Sequence, residues 1–540
     1  MCASSETNEV QGRFVAPAPI EWFYLVAGLF VTMAYFWLLD DAFVYFRYVD
    51  NLLFLRIGLV YNQGEYVEGF SSPLWACVLT ALRATHMSYM AILQLLTGGS
   101  FVLFWFLLVQ LNRRLSPNTP VVNFPLAYLA FNYGVLSYFS SGHESPFVQV
   151  IAVVYALYIV NPRSRGLQYL VGLSPMIRPE LLLPLLLCAV WGWYRSKKPP
   201  YRLLATAAVL VGAWQAFRIC YYADLYPNTF YLKNMFDPAQ GVRYVHGTLY
   251  PYYFYEVCLF SLLVVVLLIH KRGELKLPVR LMMIAAAAPV LLYVIKIGGD
   301  ARHYRYMAFP FVLGVCALSG NIEHFQATYI PAKYRRYMPW AGVVVACLAF
   351  SLYPRQLDKH PFLCEATNRG VHGIADADGH RHRPELHVSN WRKRVNIEKL
   401  TAYRKSQTEF EYDGILGRGW CVGNYEQFNL RIIHSLGLTD AILARTIMPA
   451  DRPAHKFGLK ALAQDMVKIQ QSARTIGPGM YRKAVDAGQA PEWIADNLAT
   501  IEIIEKKIYN THNLFENLRL AFVTPPPIVP AWGAVFEEWY

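Results

Sequence analysis

The sequence predicts an α-helical, multi-span membrane protein with a soluble, mixed but mainly helical domain at its C-terminal end. Three observations carry this. Of 540 residues, 55% are hydrophobic, 15% aromatic and only 16% charged, less charge than a soluble chain of this size exposes. Apolar runs of bilayer length recur from about Trp22 to Tyr353. After Pro354 they stop, and charge-rich sequence runs on to Tyr540, which explains a mean hydropathy of only +0.25. Residues 1–353 therefore read as a membrane domain and 354–540 as a soluble one.

The first run, about 21–39, has no small-residue cleavage site behind it and is followed at once by Asp40 and Asp41, so it reads as a span that stays attached. Short basic loops set the orientation. Arg113 with Arg114, Arg163 with Arg165, Arg195 with Lys197 and Lys198, Lys271 with Arg272, and Lys333 with Arg335 and Arg336 are expected in the cytoplasm. Because the net charge of +13 is concentrated in such loops, a nucleic-acid partner is rejected. Threading the apolar runs between them gives further spans at roughly 89–110, 121–139, 146–160, 166–178, 180–194, 202–220, 252–270, 279–297, 304–320 and 337–353, about eleven in all. The run at about 72–85 breaks the alternation and is placed as a helix at the outer interface. An odd number of spans with the N-terminus inside leaves the C-terminal domain outside. There, helical periodicity is visible near 459–471 and 493–508.

Given that orientation, the polar clusters of the membrane half fall together on the outer face. They are Asp40-Asp41, Ser141-Gly142-His143-Glu144, Arg178-Pro179-Glu180, the stretch from Arg218 to Lys233, and Gly298-Gly299-Asp300 followed by Arg302, His303 and Arg305. Ionisable groups at a bilayer edge cost free energy unless paired or hydrated, so their concentration marks a candidate site. Asp40 and Asp41 are either helix caps or a pair from which one carboxylate removes a proton from a hydroxyl. Arg178 is either half of an internal ion pair with Glu180 or a fork for a phosphate. Glu144, on its residues alone, is a loop carboxylate or the partner of that arginine. Lys233, Arg302, His303 and Arg305 lie on the outer side against the charge bias, which a phosphate partner would explain. Tyr221 and Asn228 belong either to an interfacial belt or to a ligand surface, and Asp300 pairs with a hydroxyl or an arginine. The two glycines before Asp300 let backbone approach a ligand closely. A divalent ion shared by Asp40, Asp41 and Asp300 is open, although no spacing requires one. Cys364 and Cys421, the two cysteines of the soluble domain, are either bonded or two buried thiols. His372, His380, His382 and His387 fit no closed zinc site.

The motif order resembles a known family. Asp40-Asp41-Ala42-Phe43-Val44-Tyr45-Phe46-Arg47-Tyr48, Gly58-Leu59-Val60-Tyr61-Asn62 and Val67-Glu68-Gly69-Phe70-Ser71-Ser72-Pro73 are similar to the first outer loop of bacterial GT-C glycosyltransferases. The nearest resemblance is to the membrane arabinofuranosyltransferases that add terminal arabinofuranose to mycobacterial arabinan. Gly142-His143-Glu144-Ser145-Pro146-Phe147, Arg178-Pro179-Glu180, Asp224-Leu225-Tyr226-Pro227-Asn228-Thr229 with Lys233, Gly298-Gly299-Asp300, and Leu436-Gly437-Leu438-Thr439-Asp440 with Ala444-Arg445 follow in the family's order. Two positions depart from the pattern: His434 stands where the family usually has an acidic residue, and His143 where it has an apolar one.

This resemblance implies a polyprenyl-phosphate sugar donor and an inverting single displacement on the outer face of a bacterial cytoplasmic membrane. It assigns catalysis to Asp40 and Asp41. The donor phosphate falls to Arg178, Lys233, Arg302, His303 and Arg305, and the sugar or acceptor to Glu144, His143, Glu180, Tyr221, Asn228 and Asp300. Arabinofuranose is the sugar it suggests, with a glycan or pilin-like protein as acceptor and the C-terminal domain as acceptor binder. No cofactor is required, and the chain has no P-loop or dinucleotide fingerprint. The alternative is a lipid-linked-sugar transporter or flippase, which would need no carboxylate base.

Overall fold

A computed structural model describes residues 16–34, 36–39, 41–115, 123–233, 236–270, 276–300, 304–335, 337, 338, 340, 343, 414–417, 431–434, 437–447, 459–472, 477–510 and 512–530. Asp40, Arg302, His303, Cys364, Cys421 and the four histidines of the 372–387 stretch lie outside these residues.

The described part of the membrane half is mainly helical, with an irregular stretch over 56–72. Its helices are α1 (Pro19–Ala34), α2 (Asp41–Asp50), α3 (Pro73–Arg83), α4 (Tyr89–Leu115), α5 (Phe124–Leu129), α6 (Tyr133–Phe139), α7 (Ser145–Val160), α8 (Arg165–Ile177), α9 (Leu182–Ser196), α10 (Tyr201–Tyr222), α11 (Asn228–Lys233), α12 (Pro238–Leu249), α13 (Phe254–His270), α14 (Leu277–Ile297), α15 (Ala308–Ala317), α16 (Asn321–Tyr329) and α17 (Ala332–Arg335). Among the described residues, α4, α10 and α14 are long and apolar enough to cross a membrane, and α12 with α13, bent by 73°, pass together as a fourth. Length and composition thus single out three or four crossings, where the apolar runs lead one to expect about eleven.

The difference has local causes. The run expected over 121–139 is two short helices, because Asn123 accepts a hydrogen bond from the Leu126 amide and Asn132 one from the Val135 amide, each starting a new helix. At Arg178-Pro179-Glu180 the chain makes one 3-10 turn between α8 and α9, as the proline leads one to expect. The run at 72–85 does form a helix, α3, capped by Ser72 and opened by Pro73. Around α4, α7, α14 and α15 lies the main apolar core, into which Tyr155, Leu157, Val290, Phe309 and Phe311 point.

Helix α14 fixes the two ends of this half relative to each other. At its start Lys276 donates to the Arg114 carbonyl at 2.8 Å, so two of the basic loops lie together. At its end Gly298 and Gly299 take positive φ of 81° and 78° and deliver Asp300 to the polar cluster. Its 21 residues span about 30 Å at roughly 1.5 Å per residue, the thickness of a hydrocarbon core.

In the C-terminal half, Gly414–Gly417 pairs in parallel with Arg431–His434. The helix Leu459–Ser472 falls where the apolar periodicity puts it, while the helix expected over 493–508 is broken at Asn497 into Glu492–Asp496 and Leu498–Ile508. Leu462, Met466, Ile494, Ile501 and Ile504 make its core, and Val67 and Leu232 from loops of the membrane half pack into the same core. Buried ion pairs fasten this junction: Glu65 binds Arg431 and the Tyr509 hydroxyl, and Asn62 exchanges two hydrogen bonds of 3.0 Å with the Ile432 backbone.

Candidate active site

The first turn of α2 carries Asp41, and its carboxylate lies 2.6 Å from Nη1 of Arg305. The same Nη1 is 3.5 Å from Asp300. One guanidinium therefore joins two carboxylates that are some 260 positions apart in sequence. Gly299 makes this turn possible: besides its positive φ, a Cβ there would come within 2.2 Å of the Tyr244 ring. The glycine thus serves packing against α12.

Beside this pair sits a second one. Arg178, held at the α8–α9 break, places Nη2 3.0 Å from Glu144 and Nη1 3.6 Å from Glu180. Both Glu144 oxygens are buried, and the carboxylate is held by Arg178 and by its own backbone amide. Burial alone would raise this carboxyl, but Arg178, His143 and Arg305 outweigh it and hold it down at about 2. Glu144 is therefore an ionised acceptor. Its neighbour His143 is pushed down to about 4 by burial and stays neutral. His143 Nδ1 accepts from the Ser145 amide at 3.2 Å, which places the ring proton on Nε2, a buried position without a partner among the described residues.

Tyr306 ties the cations together. Its hydroxyl accepts from Lys233 Nζ at 2.7 Å, and its ring lies 5.2 Å from the Arg178 guanidinium carbon and 5.3 Å from Nζ. Lys233 at the end of α11 is lowered to about 8, by burial first and then by Arg305 and Arg178, with Asp300 and Asp41 opposing. A narrow pocket opens onto this cluster, with Arg178, Glu180, Arg305 and Tyr306 at its polar end and Val148, Leu181, Val290 and Phe309 as apolar walls. The arrangement suits an anion carried on a hydrocarbon chain: cations meet the head while the walls accept the tail.

Sequence reasoning does not find three members of this neighbourhood. Tyr306 follows Arg305 directly, which is the one local signal for it. Tyr45, one turn along α2 from Asp41, lies within the field of Glu144, Arg178 and Arg305. His434 comes from the C-terminal half, at the end of the short strand, and is buried near Asp41; burial holds its imidazole down at about 4 against the opposing pull of that carboxylate.

Two expected ligand residues are not brought here. The Tyr221 hydroxyl accepts from the Leu59 amide at 2.8 Å, and its ring stacks on Phe217 and His512. The Asn228 amide donates to the carbonyls of Gly437, Leu438 and Asp440 at 3.0, 3.0 and 3.2 Å. Both side chains are spent on joining loops of the membrane half to the C-terminal half. Asp41 and Asp300, two of the three carboxylates weighed for a divalent ion, share Arg305, and the third, Asp40, lies outside the described residues, among which no group of three metal-ligating side chains occurs.

Comparison with known proteins agrees with the motif order. No family model matches the chain, and no solved structure matches it. The chain is 27% identical over 340 residues to a terminal beta-(1->2)-arabinofuranosyltransferase of Corynebacterium glutamicum, covering 53% of this chain and 48% of that protein. It is 25% identical over 327 residues to a protein of the same description from Mycobacterium tuberculosis, covering 51% of each. The chain thus spans about half the length of the curated relatives it matches. Over that half, the resemblance carried by its motifs is to the terminal arabinofuranosyltransferases, and this is the family to which the chain is similar.

Proposed function

We propose that this chain is an inverting GT-C-type glycosyltransferase that moves arabinofuranose from a polyprenyl-phosphate donor to a glycan or surface-protein acceptor on the outer face of the cytoplasmic membrane. The observation that carries the reading is the convergence of Arg178, Lys233 and Arg305 on Tyr306 at the mouth of an apolar-walled cavity, with Asp41 bound to the same Arg305.

In this reading the lipid tail lies along Val148, Leu181, Val290 and Phe309 and the phosphate meets the three cations. The acceptor hydroxyl attacks the anomeric carbon from the face opposite the phosphate. As that bond forms, the carbon–oxygen bond to the phosphate breaks and its electron pair leaves with the polyprenyl phosphate. The hydroxyl proton goes to a carboxylate of the Asp40-Asp41 pair. Donor binding and base release are coupled through Arg305. A phosphate that takes up its guanidinium competes with Asp41, and a carboxylate freed from its cation is the better proton acceptor. Glu144, ionised beside Arg178, is suited to receive hydroxyls of the transferred sugar.

The test is turnover. Purified protein in nanodiscs, given a radiolabelled polyprenyl-phosphoryl arabinofuranose and a linear arabino-oligosaccharide, should lengthen the acceptor with inversion at the anomeric carbon. Movement of the lipid-linked sugar across a bilayer without any transfer would replace this reading by the flippase one.

A further inference from the structure

The helix Leu514–Ala521 of the C-terminal half carries apolar side chains on a face that no described residue covers. Leu514, Phe515 and Leu518 are 53%, 82% and 42% exposed, and Phe522, the residue that caps the helix, is 65% exposed. At roughly 100° per residue these four fall within one arc about 100° wide, and the exposed Glu516 and Arg519 lie outside it. One edge of the arc adjoins Asn517 and Ala521, which are buried where the helix packs on α10. The described C-terminal half exposes six large apolar side chains, and four of them make this one face, a concentration that marks contact with an apolar partner.

Its place in the fold says what that partner is. Asn517 Nδ2 donates to the Cys220 carbonyl at 2.8 Å and Asn510 Nδ2 to the Tyr221 carbonyl at 3.3 Å, so the helix is pinned to the last turn of α10. Helix α10 is long and apolar enough to cross a membrane, and only 17% of its apolar stretch is buried within the protein, which leaves lipid to cover the rest. From Tyr201 to Cys220 it rises about 28 Å at roughly 1.5 Å per residue, so Cys220 stands at the edge of the hydrocarbon layer. A second aromatic group comes to the same end of α10. Gln215 Nε2 donates to the Leu225 carbonyl at 3.0 Å, and beyond that carbonyl the exposed rings of Tyr226 and Phe230 stack on each other.

We propose that Leu514–Ala521 is an interfacial membrane helix, lying along the bilayer surface with Leu514, Phe515, Leu518 and Phe522 in the acyl boundary and Glu516 and Arg519 among the headgroups. The bilayer that α10 requires already reaches this height, so covering the arc needs no further partner. Zwitterionic lipid suffices, since the charges of Glu516 and Arg519 offset each other. The contact adds a membrane footing to a half of the chain whose charge-rich sequence reads as soluble, and it does not depend on the transferase reading.

The test uses the full chain in phosphatidylcholine nanodiscs, with the photo-crosslinker p-benzoylphenylalanine in place of Phe515 or Phe522 and, as controls, in place of Glu516 or Arg519. All four side chains are exposed, so the exchange leaves the core intact. After irradiation, mass spectrometry of peptides covering 514–522 should find lipid adducts at positions 515 and 522 in roughly tenfold excess over 516 and 519. Transfer activity does not enter this readout, so it stands apart from the reaction. Lipid adducts no more frequent at 515 and 522 than at the controls, or crosslinks from 515 to a second copy of the chain in their place, overturn the proposal.

Discussion

Arg305 is the residue on which the chemistry turns, because it binds Asp41 and Asp300 at once and faces the cavity. Asp41→Asn should lower transfer by about 10²–10⁴-fold, the usual worth of general-base assistance, while donor binding holds or tightens as a competitor for Arg305 is lost. Arg305→Ala should differ in kind, raising the donor KM as well as lowering kcat. Steady-state kinetics on both variants checks this, and near-normal turnover of a folded Asp41→Asn protein would leave Asp40 as the base. Lys233 gives a pH signature. It lies at about 8 when donor-free, surrounded by Arg305, Arg178, Asp300, Asp41 and Tyr306, and a phosphate favours its charged form. Donor affinity should therefore be complete below pH 8 and fall as pH rises through it. In Lys233→Arg, the donor KM should lose that dependence between pH 7 and 9. Asp41, Glu144, Arg178, Lys233, Asp300 and Arg305 were all legible in the sequence, since each is a polar residue on the uncharged side of the charge bias. His434 was not, because its approach to Asp41 needs the whole C-terminal half to fold back onto the outer loops.

At the scale of elements, legibility follows the length of the signal. Helices at Leu459–Ser472 and Leu498–Ile508 were readable because several turns of apolar periodicity repeat in each. The parallel pairing of Gly414–Gly417 with Arg431–His434 was not, since four-residue strands carry almost no period and their register depends on a distant partner. The split of 121–139 into α5 and α6 was written in Asn123 and Asn132, but inside an apolar run two caps are easily passed over. The Gly298-Gly299-Asp300 turn is the element whose local geometry the site needs most. Gly299→Ala forces a side chain into positive φ, costing about 1–2 kcal/mol. It also meets Tyr244 at 2.2 Å, and overpacking of that kind adds about 1–3 kcal/mol. Thermal unfolding in detergent should register a lowered Tm, and transfer should fall further than stability alone accounts for, because Asp300 and Arg305 move with the turn. Full activity with unchanged Tm would mean that the turn does not position the pair.

For the whole molecule, the question is which way the two ends of α14 face. Lys276 lies against the Arg114 carbonyl at one end, among loops rich in arginine and lysine, and Asp300 joins the site at the other. About 30 Å of apolar helix lies between them, so if the basic loops are cytoplasmic the site is outside, and with it the C-terminal half that Glu65, Asn62 and Asn228 fasten to the outer loops. Charge bias and packing thus make one joint claim. Lys197, exposed between α9 and α10, and Lys506, exposed on the helix Leu498–Ile508, should fall on opposite sides of the membrane. With Lys197→Cys and Lys506→Cys in separate variants, a membrane-impermeant maleimide should reach position 506 in intact spheroplasts and position 197 only after permeabilisation. The same labelling of the unsubstituted protein subtracts the signal of the nine native cysteines, of which Cys188 and Cys316 are buried and Cys77 is exposed. The reverse pattern would put Asp41 and Arg305 in the cytoplasm, where a nucleotide-linked donor is as available as a lipid-linked one. The apolar walls of the donor cavity would then have no lipid tail to explain them.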